Sequence, residues 1–147
     1  MKPKETVDFN VKTLWHAIAR MYNSQAVKHD ITTSIGFVLL NIDVSEGTPA
    51  TKIAPLLGLE ARSLTRMLKT MEERKLIYKM PDEKDKRSVR IFLTDVGKQK
   101  RDVSRAVVKQ FNFFIKDHIQ EEKLKIFLEV ADKINSLIES KQIYEKK

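Results

Sequence analysis

The fold is decided by residues 48–94, which read TPATKIAPLLGLEARSLTRMLKTMEERKLIYKMPDEKDKRSVRIFLT. Within residues 61–71, apolar side chains recur at the i, i+3, i+4 and i+7 spacing of one buried helical stripe. These side chains are Leu64, Met67, Leu68 and Met71. The opposite side of the same helix then carries hydrogen-bond donors, namely Arg62, Ser63, Arg66 and Lys69. The pattern predicts an amphipathic helix over residues 61–74 with a donor-rich outer face.

A short apolar helix precedes the donor-rich one. Thr51 is predicted to cap residues 52–57, and Gly58 is predicted to end them in a left-handed conformation. Because Pro55 would fall near the fourth helical position, this helix should be short or distorted at its start. Two helices separated by so tight a turn form a helix-turn-helix.

Two strands and a charged loop follow the helix-turn-helix. Residues 76–80 and 88–93 read as antiparallel partners. Three side chains of the second strand are predicted to alternate towards the core: Val89, Ile91 and Leu93. The loop between the strands, residues 81–87, is so polar that it must project into solvent. We interpret the two strands and their loop as a wing.

Helices and a short strand are predicted before the helix-turn-helix. An amphipathic helix covers residues 7–28, and a second helix, capped by a threonine at residues 32–33, ends near Gly47. Residues 48–50 form a small edge strand, where proline is tolerated.

Two more helices are predicted after the wing. Thr94 caps a long helix that runs to about His118, and a last helix begins at residues 121–122. The polar end of the chain should fray.

The predicted fold class is mainly α with a small β-wing, a winged helix-turn-helix flanked by N- and C-terminal helices. We expect one unit of residues 1–147. Its DNA-binding lobe would cover about residues 32–94, and its helical dimerisation region about residues 1–30 and 95–147.

The net charge of +8 is concentrated in the same stretch. Residues 48–94 carry eleven basic and six acidic side chains, whereas residues 1–47 carry five of each. A basic excess beside a donor-rich helix predicts binding of double-stranded DNA, with the helix in the major groove. A solvated basic surface that only aids solubility is the alternative.

Other functional classes find little support. The chain has no cysteine, so disulfides and thiolate metal sites are excluded, and no apolar run is long enough for a membrane span or a signal sequence. We therefore expect a cytoplasmic protein without a membrane partner. His16, His29 and His118 do not share a helix face, and no catalytic or phosphate-binding motif is present. No enzyme activity, cofactor or metal is expected.

The terminal helices carry more apolar residues than a small winged domain needs to cover itself. This surplus predicts a homodimer, although the stripes could instead pack on one another within the monomer. Four aromatic side chains of these helices could line a pocket for a small aromatic effector, or could be plain core. They are Trp15, Tyr22, Phe111 and Phe114.

The run from residue 56 to residue 97 resembles the MarR family of bacterial winged-helix transcription regulators. The resemblance rests on the joint order of several short motifs: LGL at 57–59, TRML at 65–68, MEERKLI at 71–77, DKR at 85–87, LT at 93–94, and Gly97. The order of the flanking helices is also similar, so the resemblance covers nearly the whole chain.

This resemblance implies a homodimeric regulator, usually a repressor, that binds a pseudo-palindromic operator. Ser63, Thr65 and Arg66 would then lie in the major groove. Arg87 would enter the minor groove from the wing, beside Lys86, with Asp85 orienting it.

The sequence departs from the family pattern at Lys75, at Pro55 and at residues 61–62. Lys75 stands where the family commonly has glycine, which would cost about 1 kcal/mol if that residue is left-handed. The alternative function is a winged-helix protein-interaction module without DNA binding.

Overall fold

The computed structural model describes residues 1–144; the last three residues, where we expect fraying, lie outside it. Its helices are α1 (Val7–Val27), α2 (Thr33–Leu40), α3 (Ala50–Leu57), α4 (Ala61–Glu73), α5 (Asp95–His118) and α6 (Glu121–Glu139). Its strands are β1 (Thr48–Pro49), β2 (Ile77–Pro81) and β3 (Val89–Leu93), and short 3-10 turns cover Pro3–Glu5 and Gln142–Tyr144. The mainly helical fold with a small wing is confirmed.

The three strands form one antiparallel sheet in the order β1-β3-β2. Ile77 pairs with Leu93, and Thr48 pairs with Ile91. Pro49 therefore lies on an edge strand, as predicted, where its missing N–H costs no ladder bond.

The chain divides into two compact units within α5. The first unit, Met1–Val107, contains the buried core, which α2, α3, α4 and the sheet share. Leu64, Leu68 and Met71 of α4 are buried there, and Met67 is half-buried. The predicted stripe of α4 is thus confirmed, and burying it fixes which side of the helix faces outward.

The second unit, Val108–Lys147, holds the end of α5 and all of α6. Among the residues that the structure describes, α6 has no buried side chain.

Side-chain caps fix two of the helix starts where they were predicted. The Thr32 hydroxyl accepts the Ile35 N–H at 3.2 Å, and the Thr94 hydroxyl accepts the Gly97 N–H at 3.0 Å. A Cβ on Gly97 would lie 1.9 Å from the Leu76 carbonyl oxygen. Only glycine permits this approach of α5 to the start of β2.

The predicted end of α2 was wrong. The helix stops at Leu40, well before Gly47, because side chains bind backbone groups in its last turn and in the turn that follows. The Asn41 amide donates to the Phe37 carbonyl at 2.8 Å. The Asp43 carboxylate accepts the N–H groups of Ser45 and Glu46 at 2.9 and 2.7 Å, and these bonds lower the pKa of Asp43.

The start of α3 also differs from the prediction. The helix begins at Ala50 without a side-chain cap, so Thr51 lies in its first turn and Pro55 at its sixth position. The helix is short, as predicted, and Gly58 ends it with φ +62°.

Val89 does not join the core. It is 41% exposed, whereas Ile91 and Leu93 are buried. Val89 lies at the loop end of β3, opposite Pro81.

Candidate nucleic-acid interface

The outer face of α4 is a continuous set of exposed donors. Arg62, Ser63, Arg66 and Lys69 are all exposed, and so is Thr65, whose hydroxyl donates to the Ala61 carbonyl at 2.9 Å. Within residues 1–144, no ion pair or hydrogen bond engages the guanidinium of Arg62 or Arg66. Both side chains are therefore free to bind an external acceptor.

The C-terminal end of α4 is held in place by neighbouring segments. The Arg74 guanidinium donates to the Asp30 carbonyl and lies 3.1 Å from the Asp30 carboxylate. After the helix, Lys75 has φ +56°, and its carbonyl accepts the Thr94 hydroxyl at 2.6 Å. These bonds fix the donor face relative to the α1–α2 turn and the sheet.

The wing loop begins at a buried carboxylate. Asp82 is only 5% exposed, which corrects the expectation that the whole loop projects into solvent. Its carboxylate accepts the Lys84 N–H at 2.9 Å and lies 3.5 Å from the Arg90 guanidinium. The Lys84 N–H and, to a smaller extent, the charge of Arg90 hold the pKa of Asp82 below its usual value. Asp82 therefore stays ionised at the base of the wing.

The tip of the wing carries the predicted basic residues. Asp85, Lys86 and Arg87 are all exposed. The Asp85 carboxylate accepts the backbone N–H of Arg87 at 3.0 Å. Asp85 thus acts on the backbone of the turn that carries Arg87. It does not form an ion pair with the Arg87 guanidinium.

Arg90 is a residue beside the candidate interface that the sequence patterns did not indicate. From β3 its guanidinium donates to the carbonyls of Glu46 and Gly47 at 3.1 and 3.3 Å and pairs with Asp82. Arg90 pairs with Met80 in the hairpin, and Met80 lies two residues before Asp82. The sequence signal for this ion pair was therefore an acidic and a basic residue at nearly opposite positions of the hairpin.

The four aromatic residues of the predicted pocket are divided between the two units. Trp15 and Tyr22 of α1 both contact Phe37 of α2, with ring centroids 6.3 and 5.9 Å apart. Phe111 and Phe114 belong to the second unit, where Phe114 stacks on His118 at 4.0 Å. A single pocket made of all four stays a prediction. Phe37 is the aromatic neighbour that the sequence patterns did not indicate.

Large apolar side chains are exposed along α1 and α6. In α1, Leu14 and Trp15 are 47% and 52% exposed. In α6, Phe127 and Leu128 are 52% and 61% exposed. The predicted apolar surplus of the terminal helices is therefore present at the surface of the single chain.

In the described part of the chain, no group of three or more His, Cys, Asp or Glu side chains is placed to hold a metal ion. None of its helices is both long and apolar enough to cross a membrane.

Comparison with known proteins agrees with this geometry. The profile described as the MarR family matches residues 31–89. The regulator SarZ of Staphylococcus aureus is 31% identical over 121 residues, which cover 82% of this chain and 76% of SarZ. The regulator TtmR of Methylorubrum extorquens is 36% identical over 90 residues, which cover 61% of this chain and only 46% of TtmR.

The fold is also similar to solved structures. MepR of S. aureus, in a complex with DNA, superposes with a TM-score of 0.81 at 21% identity, over 89% of this chain and 97% of MepR. SarZ and TtmR are both HTH-type transcriptional regulators, which is the functional class that the sequence predicts. This chain belongs to the MarR family of transcriptional regulators, and not to a family of enzymes.

Proposed function

We propose that this protein is a sequence-specific repressor that binds a pseudo-palindromic DNA operator as a homodimer. The observation that carries the proposal is the outer face of α4, where Arg62, Ser63, Arg66 and Lys69 are exposed together. The likeness of the fold to MepR in its DNA complex supports this use of the helix.

In this proposal α4 is the recognition helix. Ser63, Thr65 and Arg66 reach base edges in the major groove, and Arg62 and Lys69 lie beside them to meet phosphates. The unpaired guanidinium of Arg66 suits a bidentate contact to guanine, which contributes about 1 to 3 kcal/mol of base discrimination.

The wing makes the second contact. Arg87 inserts into the minor groove and Lys86 neutralises the adjoining backbone. A guanidinium is weakly hydrated, so it enters a narrow and negative groove at low desolvation cost. Asp85 supports the contact by holding the backbone N–H of Arg87.

Homodimer formation would cover the apolar residues of the terminal helices. α6 has no buried side chain in the described part of the single chain, although it exposes Phe127 and Leu128. A two-fold partner is the simplest cover for such a face, because one self-complementary patch serves both subunits. The two recognition helices would then lie about one duplex turn apart, on the order of 34 Å.

A small aromatic effector is the least constrained part of the proposal. Trp15 and Tyr22 already form an aromatic cluster with Phe37, to which a planar ligand could add a ring. Screening small phenolic acids for weakened operator binding tests this idea. A wholly negative screen would remove it without affecting the DNA-binding proposal.

The direct test is selection of bound fragments from random genomic DNA, followed by affinity measurements at several salt concentrations. A DNA reader that neutralises phosphates must lose affinity steeply with salt, because counterions are released on binding. We expect Arg66→Ala to relax base preference at one position of each half-site. Arg105→Ala serves as the control, because Arg105 is an exposed arginine of α5 outside the proposed interface.

Three outcomes would contradict parts of the proposal. Failure to select any fragment would favour the protein-interaction module without DNA binding. Equal loss of affinity for all sequences in Arg66→Ala would make Arg66 a phosphate contact. A stable monomer in sedimentation at micromolar concentration that still binds the operator tightly would remove the homodimer.

A further inference from the structure

The Arg90 guanidinium lies where the wing meets the loop that leads into β1. Its Nη1 donates to the Glu46 carbonyl at 3.1 Å and to the Gly47 carbonyl at 3.3 Å, and its Nη2 lies 3.5 Å from the Asp82 carboxylate. We propose that Arg90 is a positioning residue which, together with Asp82, sets the direction of the wing and so places Arg87 on DNA. This inference rests on the proposed function, because it takes Arg87 as the wing contact.

The three acceptors require a guanidinium. One nitrogen serves two backbone carbonyls while the other faces a carboxylate, which is the fixed fork geometry that lysine lacks. The Arg90 side chain is 24% exposed and that of Asp82 only 6%, so water and salt screen their attraction less than at an open surface.

A second contact fastens the same loop to β3. Gly47 has φ +66°, and a Cβ there would lie 2.8 Å from the Phe92 ring and 2.6 Å from the Ile91 carbonyl oxygen. Phe92 in turn stacks on Tyr78 of β2, with ring centroids 5.3 Å apart. The strand β3 therefore packs closely against Gly47, and Arg90 donates a hydrogen bond to the Gly47 carbonyl. Tilting the wing away from the loop must break both contacts.

Hydrogen bonds connect Asp82 to the wing tip. The Asp82 N–H donates to the Ser88 carbonyl at 3.1 Å, and the Ser88 N–H donates to the Asp85 carbonyl at 2.9 Å. The Asp85 carboxylate then holds the Arg87 N–H. A change at Arg90 or Asp82 can thus reach the backbone of Arg87 without any change in the tip sequence.

The first test uses Asp82→Asn. A positioning role predicts that this change weakens operator binding, whereas general electrostatics predicts that it strengthens binding. Asparagine can still accept the Lys84 N–H but loses the attraction to Arg90. The variant also loses one negative charge, so its net charge is one unit more positive, which by itself should strengthen binding to DNA. We expect operator affinity to fall by about three- to tenfold. The loss cannot exceed that of Arg87→Ala, because Asp82 acts only by placing Arg87.

The matched control is Glu83→Gln, an exposed position of the same loop with the same change of charge. It should bind the operator as tightly as the natural protein or more tightly. Circular dichroism melts and sedimentation check that each variant is folded and associates normally. If Asp82→Asn binds the operator as tightly as Glu83→Gln, the positioning proposal is overturned.

The second test uses Arg90→Lys, which keeps the net charge and serves if Asp82→Asn does not fold. It should weaken operator binding in the natural background but add little in the Arg87→Ala background, because the residue to be positioned is then absent. A full additional loss in that background would make Arg90 a direct DNA contact and overturn the inference alone. If Arg87→Ala itself leaves affinity unchanged, the proposed wing contact and the inference both fail.

Discussion

Replacing Lys75 by glycine should stabilise the protein. Lys75 is the left-handed residue that ends α4, with φ +56°. Its N–H donates to the Glu72 carbonyl and the Leu76 N–H donates to the Met71 carbonyl, both at 2.9 Å. This pair of bonds is the usual termination of a helix by a left-handed residue, and the buried Leu76 and Met71 supply its apolar contact.

The size of the expected stabilisation follows from the backbone conformation of Lys75. A left-handed conformation costs a residue with a Cβ about 1 to 2 kcal/mol, and glycine avoids that cost. Glycine gives back part of the gain, because its unfolded chain has about 0.5 to 1 kcal/mol more conformational freedom to lose. Lys75→Gly should therefore raise the free energy of unfolding by about 0.8 kcal/mol, the difference between the middle values of these two ranges.

Urea denaturation of the natural protein, Lys75→Gly and Lys75→Ala measures this difference. Alanine removes the lysine charge and stem but keeps the Cβ, so it separates the backbone effect from the side-chain effect. If Lys75→Gly is no more stable than Lys75→Ala, the left-handed conformation of Lys75 does not carry the cost assigned to it.

Three further predictions concern packing, ionisation and association. Gly97→Ala should lower the free energy of unfolding by at least about 2 kcal/mol in urea denaturation, because its Cβ would collide with the Leu76 carbonyl. Because the folded protein lowers the pKa of Asp82, its stabilising contribution is present above the ordinary value of 3.8 and is lost as pH falls through the folded value. The destabilisation by Asp82→Asn in urea should thus be clear at pH 7 and should shrink below about pH 4. Leu128→Glu, which places a charge on the exposed apolar face of α6, should weaken self-association in sedimentation; an unchanged sedimentation profile would exclude that face from the dimer.

The elements that could be predicted are those whose signal is local and periodic. The buried side chains of α4 repeat at helical spacing, so both the helix and its donor face followed from the sequence. The caps at residues 32–33 and at Thr94 could be predicted because a cap hydroxyl stands next to the first turn, although the same signal was wrong at Thr51. The left-handed position of Lys75 was indicated by the family's usual glycine.

The elements that were missed depend on bonds that periodicity does not report. α2 ends early because Asn41 and Asp43 bind the backbone, although the apolar pattern continues to Ile42. The pairing of Asp82 with Arg90 joins a loop to a strand, and the Glu46 carbonyl comes from a segment 44 residues away. Such contacts become visible only when the hairpin register and the path of the preceding loop are known.

In the proposed function, the outer face of α4 and the tip of the wing bind duplex DNA together. The most direct measurement compares operator affinity of the natural protein with that of the Arg66→Ala, Arg87→Ala double variant across a salt series. We expect the double variant to lose about a hundredfold in operator affinity and to show a shallower salt dependence, with folding and association unchanged. A folded double variant that binds the operator with unchanged affinity and salt slope would contradict the proposed function.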